Sequence, residues 1–159
     1  MKHILFFLIV LFLFASCKSS QPYVTSANKK IIVLRDNLVE SAKEKLGTPY
    51  KFGGTTKNGL DCSGLVYTTF KKEEIVLPRT SIEMSKKGTQ IKKEHAQKAD
   101  LIFFKTGGSS KINHVGLVIE NKNGDLKFIH SSTKKGVIIS SLTEEYYLKT
   151  FSHITRLID

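Results

Sequence analysis

Two cysteines occur in the 159 residues, Cys17 and Cys62, and they keep very different company. Cys62 lies in the run Leu60-Asp61-Cys62-Ser63-Gly64-Leu65-Val66, between an acid and a hydroxyl, with an aliphatic stretch behind it. Asp61 is a good N-cap residue, and Leu65, Val66 and Phe70 follow at helical spacing, which predicts the thiol on the first turn of a helix. Unpaired N–H groups and the positive end of such a helix favour a thiolate. The same N–H groups can hold the oxyanion that forms when sulfur attacks a carbonyl. Ser63 and Gly64 are small, so a substrate backbone can approach closely. This is the pattern of a nucleophilic cysteine, and it requires a base.

Five histidines are available. His3 falls in an N-terminal leader, and His95 in a lysine-rich loop where a solvated role is expected. His153 stands among Phe and Ile in the last strand-like run, where it is expected to pack. His114 opens the run His114-Val115-Gly116-Leu117-Val118-Ile119, and His130 lies in the next one, Leu126 to Ser132. Asn123-Gly124 between them is a hairpin signal, and adjacent antiparallel strands can bring two side chains on one face into contact. One imidazole then acts as base while the other orients it and selects its tautomer. Spacing alone leaves other readings open. Two strand histidines can serve separately, and Cys62, His114 and His130 are together three ligands that suit zinc, although none sits at close paired spacing.

The elements that must carry these side chains read as a helical first half and a β-rich second half. Leu34, Leu38, Val39, Ala42 and Leu46 recur at helical spacing over residues 31–46, with Gly47 as a stop. A loop rich in turn residues spans 47–60, in which Gly53 and Gly54 serve backbone geometry, and the cysteine helix follows. A basic loop with a short helix contains Leu77-Pro78-Arg79-Thr80-Ser81. Residues 100–104, 114–120, 126–132, 136–141 and 151–158 are short β-branched and aromatic runs punctuated by glycine turns. The expectation is one α+β domain with an antiparallel sheet in a meander.

The chain opens Met1-Lys2-His3 and continues with the uncharged stretch Ile4 to Ala15, short for a membrane span and the right length for the apolar core of a signal peptide. Ala15-Ser16-Cys17 ends it in the small-small-Cys manner of a bacterial lipoprotein signal, in which the cysteine is lipidated and becomes the new first residue; Phe14 stands where such signals usually carry Leu. Residues 1–16 are thus expected as a signal peptide, 17–30 as a lipidated tether and 31–159 as the catalytic domain. The expected location is the cell envelope, anchored by lipid to a bacterial membrane, on the periplasmic side of the outer membrane. With lipid on Cys17, Cys62 has no disulfide partner within the chain. The formal charge of +11 is carried mainly by lysine. No arginine-rich helix, RNP-like aromatic pattern or zinc-finger spacing accompanies it, which argues against nucleic acid and for a solvated basic surface that tolerates anionic lipid or wall polymer.

The blocks Gly47 to Val66, Leu77 to Ser81, Ala99 to Phe104, Asn113 to Ile119 and Phe128 to Ser132 occur in the order seen in the NlpC family of bacterial cell-wall cysteine peptidases, which the chain resembles over roughly residues 33–158. The resemblance implies a minimal papain-like fold, with the nucleophile helix packed on an antiparallel sheet that bears the histidine. It makes Cys62 the nucleophile, His114 the general base and His130 the third, orienting residue. It places Tyr50 beside the nucleophile and Asp61 and Ser63 where bound peptide is contacted. Arg79 reads as a salt-bridge partner or a carboxylate ligand. Phe52 replaces an aromatic that is often Trp, and Ala99 stands where Gly commonly precedes Asp100. The implied activity is hydrolysis of an amide in the peptidoglycan stem peptide, after D-glutamate at its γ-linkage to the diamino acid. No metal and no cofactor are implied, a monomer is expected, and no SH3-like targeting domain is expected ahead of the catalytic one. Acyl transfer on the same scaffold and a zinc-binding, wall-associated lipoprotein are the alternatives.

Overall fold

Helix α1 spans Ser26–Lys43 in the computed structural model, which describes residues 25–122 and 124–159. The leader with Cys17, the first part of the tether and Asn123 of the hairpin signal lie outside the described residues. Thr25 caps α1, its side chain accepting the Asn28 N–H at 3.2 Å. The helix therefore starts five residues before the expected position at Ile31. Its added first turn holds Asn28, Lys29 and Lys30, which are exposed and so contribute no apolar period to read. It also ends before Leu46, and Gly47 turns the chain with a φ of +79°.

A small hairpin, β1 (Thr55–Thr56) with β2 (Gly59–Leu60), leads into α2 (Cys62–Lys72), and the short α3 (Ser81–Met84) follows. Strands β3 (Thr89–Ile91), β4 (Leu101–Phe104), β5 (His114–Lys122), β6 (Asp125–Ser132), β7 (Gly136–Ser141) and β8 (Phe151–Arg156) form one antiparallel sheet, with α4 (Glu145–Thr150) between the last two. Strand order is β3-β8-β4-β5-β6-β7. The expected meander is correct for β4 to β7, but β8 returns to lie between β3 and β4. Strand β3 is three residues long and largely exposed, so it carries no hydrophobic alternation that would announce it.

Both faces of the sheet are covered. On one, Leu101, Phe103, Val115, Leu117 and Ile129 pack against Leu38, Val39, Leu65, Val66 and Phe70 of α1 and α2. On the other, Ile102, Phe104, Val118 and Phe128 pack against Tyr147 of α4. Consecutive residues of β4 thus face two cores, and all four are buried, which is why that strand reads as an unbroken apolar run. Burial of Leu65, Val66 and Phe70 contributes about 1.5–3 kcal/mol each to fixing the cysteine helix on the sheet.

Candidate active site

The loop of residues 49–60 is bound to the start of α2 by main-chain bonds. Leu60 donates to the Pro49 carbonyl at 3.0 Å, Lys51 to Leu60 at 3.2 Å and Asp61 to Gly54 at 3.3 Å. The Ser131 hydroxyl ties Leu60 to the sheet at 2.7 Å. Gly64 is pressed against this loop, since a Cβ there would run into the Gly54 carbonyl oxygen. The small residues around the cysteine therefore seat the helix on the loop as much as they open space for a ligand.

Asp61 organises the junction. One carboxylate oxygen accepts the Gly64 N–H at 2.6 Å, Arg79 at 3.0 Å and the Ser63 hydroxyl at 3.2 Å. The other accepts the Gly53 N–H and Arg79, both at 2.8 Å. Burial alone would raise the Asp61 carboxyl, but the bonds from Arg79, Gly64 and Gly53 outweigh it and hold it below its ordinary value. Arg79 also donates to Ser63 at 2.8 Å. Asp61 and Ser63 do line the cleft described below, yet their polar atoms are engaged with one another, with Arg79 and with the helix start. The salt-bridge reading of Arg79 is correct.

Cys62 lies on the first turn of α2, 9% exposed, at the floor of a cleft of about 580 Å³ whose walls include Tyr50, Phe52, Arg79 and Asn113. Its Sγ is 3.9 Å from the Asn113 carbonyl oxygen, and the Val115 N–H also faces the sulfur. His114 is the residue between those two, so the thiol lies against the main chain that carries the ring. Contrary to the thiolate expected from a helix start, burial pushes the Cys62 thiol up and the Asp61 charge adds to this. The N–H groups of Val115, Ser63 and Cys62 act the other way without overcoming it. Tyr50 is half-buried on the cleft wall, its hydroxyl also raised, by burial first and then by the charges of Cys62 and Asp61.

The two strand histidines do meet. Strand β5 pairs with β6 in a register that sets Leu117 opposite Ile129 and places His114 and His130 a diagonal step apart on the same face. Their rings are edge to face at 82°, with His114 Nε2 2.9 Å from His130 Nδ1. The nitrogen not engaged by His130 is His114 Nδ1; among the described residues no hydrogen bond joins the ring to the Cys62 thiol, and the two rings line a small pocket separate from the cleft. His130 is 1% exposed, and its Nε2 is 3.1 Å from the Tyr147 hydroxyl and 3.2 Å from the Ser140 hydroxyl. Burial lowers His114 to about 4, and burial together with His114 lowers His130 to about 3, so both rings are neutral at physiological pH. Since the facing nitrogens bond each other, they are not arranged to share a metal with Cys62, and no metal-holding cluster of three or more His, Cys, Asp or Glu occurs among the described residues.

His95 is exposed on a single 3-10 turn, and His153 stacks on Phe103 at 5.1 Å, as expected of a solvated and a packing ring. Sequence reasoning missed Asn113, Thr80 and Ser81 on the cleft wall, and Tyr147 and Ser140 behind His130. The first three lie within motifs already noted but were given no role there. Tyr147 lies in a segment for which no element was expected.

The chain matches the model of the NlpC/P60 family over residues 47–156. It is 39% identical over 153 residues to a probable endopeptidase of Haemophilus influenzae, covering 92% of each chain. It is 32% identical over 145 residues to the murein DD-endopeptidase MepS/murein LD-carboxypeptidase of Escherichia coli, covering 91% of this chain and 73% of that one. The fold is similar to the crystal structure of an NlpC/P60 family protein from Bacillus cereus, with a TM-score of 0.71 at 34% identity; the match covers 79% of this chain and 40% of that one.

Proposed function

The chain belongs to the NlpC/P60 family of peptidoglycan endopeptidases, and on that premise we propose that it cleaves a stem-peptide amide by thiol chemistry. The bond is the γ-linkage of D-glutamate to the diamino acid. One observation carries the reading. The Cys62 thiol, in the cleft, lies against the main chain on either side of His114, and His114 Nε2 is held by His130.

In the resting site burial favours a neutral thiol at Cys62 and a neutral imidazole at His114. Proton transfer from Sγ to His114 Nδ1 then accompanies attack of the sulfur on the carbonyl carbon. The developing oxyanion is held by N–H groups at the start of α2 and by the Tyr50 hydroxyl. Collapse breaks the C–N bond, and His114 returns the proton to the leaving amine. A water molecule, giving its proton to His114, attacks the thioester and releases the carboxylic acid and the thiol.

Digestion of purified muropeptides, with products identified by mass, tests this. The wild type is expected to yield fragments ending in D-glutamate, while Cys62→Ser and His114→Ala yield none. The relative named for DD-endopeptidase activity favours a second reading, cleavage of D,D cross-links. Fragments separated at the cross-link would select it. Transfer of the acyl group to an added amine, with no free acid formed, would select a transferase instead.

We also propose that lipid on Cys17 holds the domain at a membrane, on the strength of the Ala15-Ser16-Cys17 ending of the leader. Lipid labelling is expected in the wild type and lost in Cys17→Ala, and labelling that survives the substitution contradicts it.

A further inference from the structure

We propose that Tyr147 and Ser140 are positioning residues that set the order of protons along the His130–His114 pair. This rests on the thiol mechanism above, which needs a lone pair on His114 Nδ1, but the proton order itself can be measured without any substrate.

A neutral imidazole carries one N–H, and His114 Nε2 and His130 Nδ1 stand 2.9 Å apart, so a single hydrogen lies between the rings. It can belong to either. If it is on His114 Nε2, His130 accepts at Nδ1 and must carry its own hydrogen on Nε2, while His114 Nδ1 is left as a lone pair that can take the thiol proton. If it is on His130 Nδ1, His114 is forced to carry its hydrogen on Nδ1, and the base is blocked. The outcome is decided at the far end of the pair, by whatever faces His130 Nε2.

Two hydroxyls face it, Tyr147 at 3.1 Å and Ser140 at 3.2 Å. All three groups are buried, and His130 is 1% exposed, so no bulk water competes for that nitrogen. A hydroxyl can accept the Nε2–H provided its own hydrogen has somewhere else to go. For Tyr147 there is such a place. A small polar pocket of about 70 Å³ adjoins it, lined also by Thr106, Ser132 and Thr133.

The ring that presents the phenol is locked. It packs edge-on against Phe128 at 5.0 Å, His130 at 5.2 Å and Phe104 at 5.5 Å. Ser140 is placed by β7, in register opposite Phe128. The demand grows when His114 takes the second proton. Both its nitrogens then carry hydrogen, so His130 must accept at Nδ1 and keep its own hydrogen on Nε2. The hydroxyl pair therefore contributes to the rate of the proton-transfer step and little to substrate binding.

Because either hydroxyl can accept the one N–H, the two replace each other. Tyr147→Phe and Ser140→Ala should each lower kcat only about two- to threefold. The double variant should lose about ten- to a hundredfold, with KM unchanged. In the Tyr147→Phe background, Ser140→Thr should keep the single-variant rate that Ser140→Ala loses.

Nitrogen-15 NMR of the histidine rings, on the full protein without substrate, gives the second readout. The hydrogen of His130 is expected on Nε2 in the wild type and in both single variants, and on Nδ1 in the double variant. A wild type that carries it on Nδ1 overturns the proposal, and this holds even if the double variant does not fold. So does a folded double variant with unchanged tautomer and kcat, or losses that merely multiply, as two packing defects would give. A wild type that carries the hydrogen on Nε2, with the double variant carrying it on Nδ1, yet cleaves no muropeptide supports the proton order and overturns the peptidase reading instead.

Discussion

Replacing Asp61 by alanine removes the acceptor of two main-chain N–H groups, at Gly53 and Gly64, and the partner of Arg79. Loss of the helix cap alone costs about 1 kcal/mol. The Gly53 N–H left without a partner adds about 1 kcal/mol. The guanidinium is 35% exposed, so its lost ion pair is screened and counts for no more than about 1 kcal/mol. The total of about 3 kcal/mol corresponds to a fall in Tm of roughly 10 °C for a domain of this size. Asp61→Asn keeps an acceptor for the cap and should lose about 1 kcal/mol, roughly 3 °C. The pH dependence has a definite sign. The carboxyl is held below its ordinary value, so the native state is stabilised by its charge above about pH 4, and that contribution disappears as pH falls through the lowered native value. Thermal unfolding followed by circular dichroism from pH 7 down to pH 3 should show the gap between wild type and Asp61→Asn closing at the acid end. A Tm for Asp61→Ala within about 2 °C of wild type at pH 7 would refute the reasoning, as would a gap that does not change with pH.

Gly64→Ala should cost about 1–3 kcal/mol and most of the activity, because its Cβ has no room against the Gly54 carbonyl; an unchanged Tm would show that the loop yields freely. Ala99 is buried with a φ of +67°, a conformation that costs a side chain about 1–2 kcal/mol. Ala99→Gly should therefore leave Tm unchanged or raise it, and a clear fall would contradict this. Alkylation of Cys62 by iodoacetamide should be slow at neutral pH and climb above the ordinary thiol range, since burial raises the thiol; fast alkylation that is flat from pH 5 upward would show a resting thiolate. The acid limb of kcat/KM should fall near pH 4, where His114 titrates, and a limb near pH 6.5 would place the base elsewhere.

Much of the site was legible because its signals are local. Asp61 next to Cys62, ahead of an aliphatic helical stripe, encodes both the cap and the position of the thiol on the first turn. The turn residues between two β-branched runs encode the hairpin that joins His114 to His130. What was not legible depends on distant parts of the chain. The insertion of β8 between β3 and β4 is a long-range pairing with no local pattern, and Tyr147 reaches His130 from a six-residue helix whose other residues are mostly exposed. The acidity of Cys62 shows the same division. The helix start acts on it as its position in sequence suggests, but the withdrawal from water that outweighs it is imposed by packing against β5. Ala99 is a milder case. The usual glycine there was noted as a departure, and the positive φ supplies the reason glycine is favoured.

The central claim is that Cys62 forms a thioester with the stem peptide. Rapid acid quench of the wild type during muropeptide turnover, followed by proteolysis and mass spectrometry, measures this directly. The peptide containing Cys62 is expected to carry the mass of the acyl fragment, and the adduct is expected to be absent from Cys62→Ala, which should not turn over. Turnover by Cys62→Ala, or an acyl fragment found on another residue of the wild type, would contradict the account.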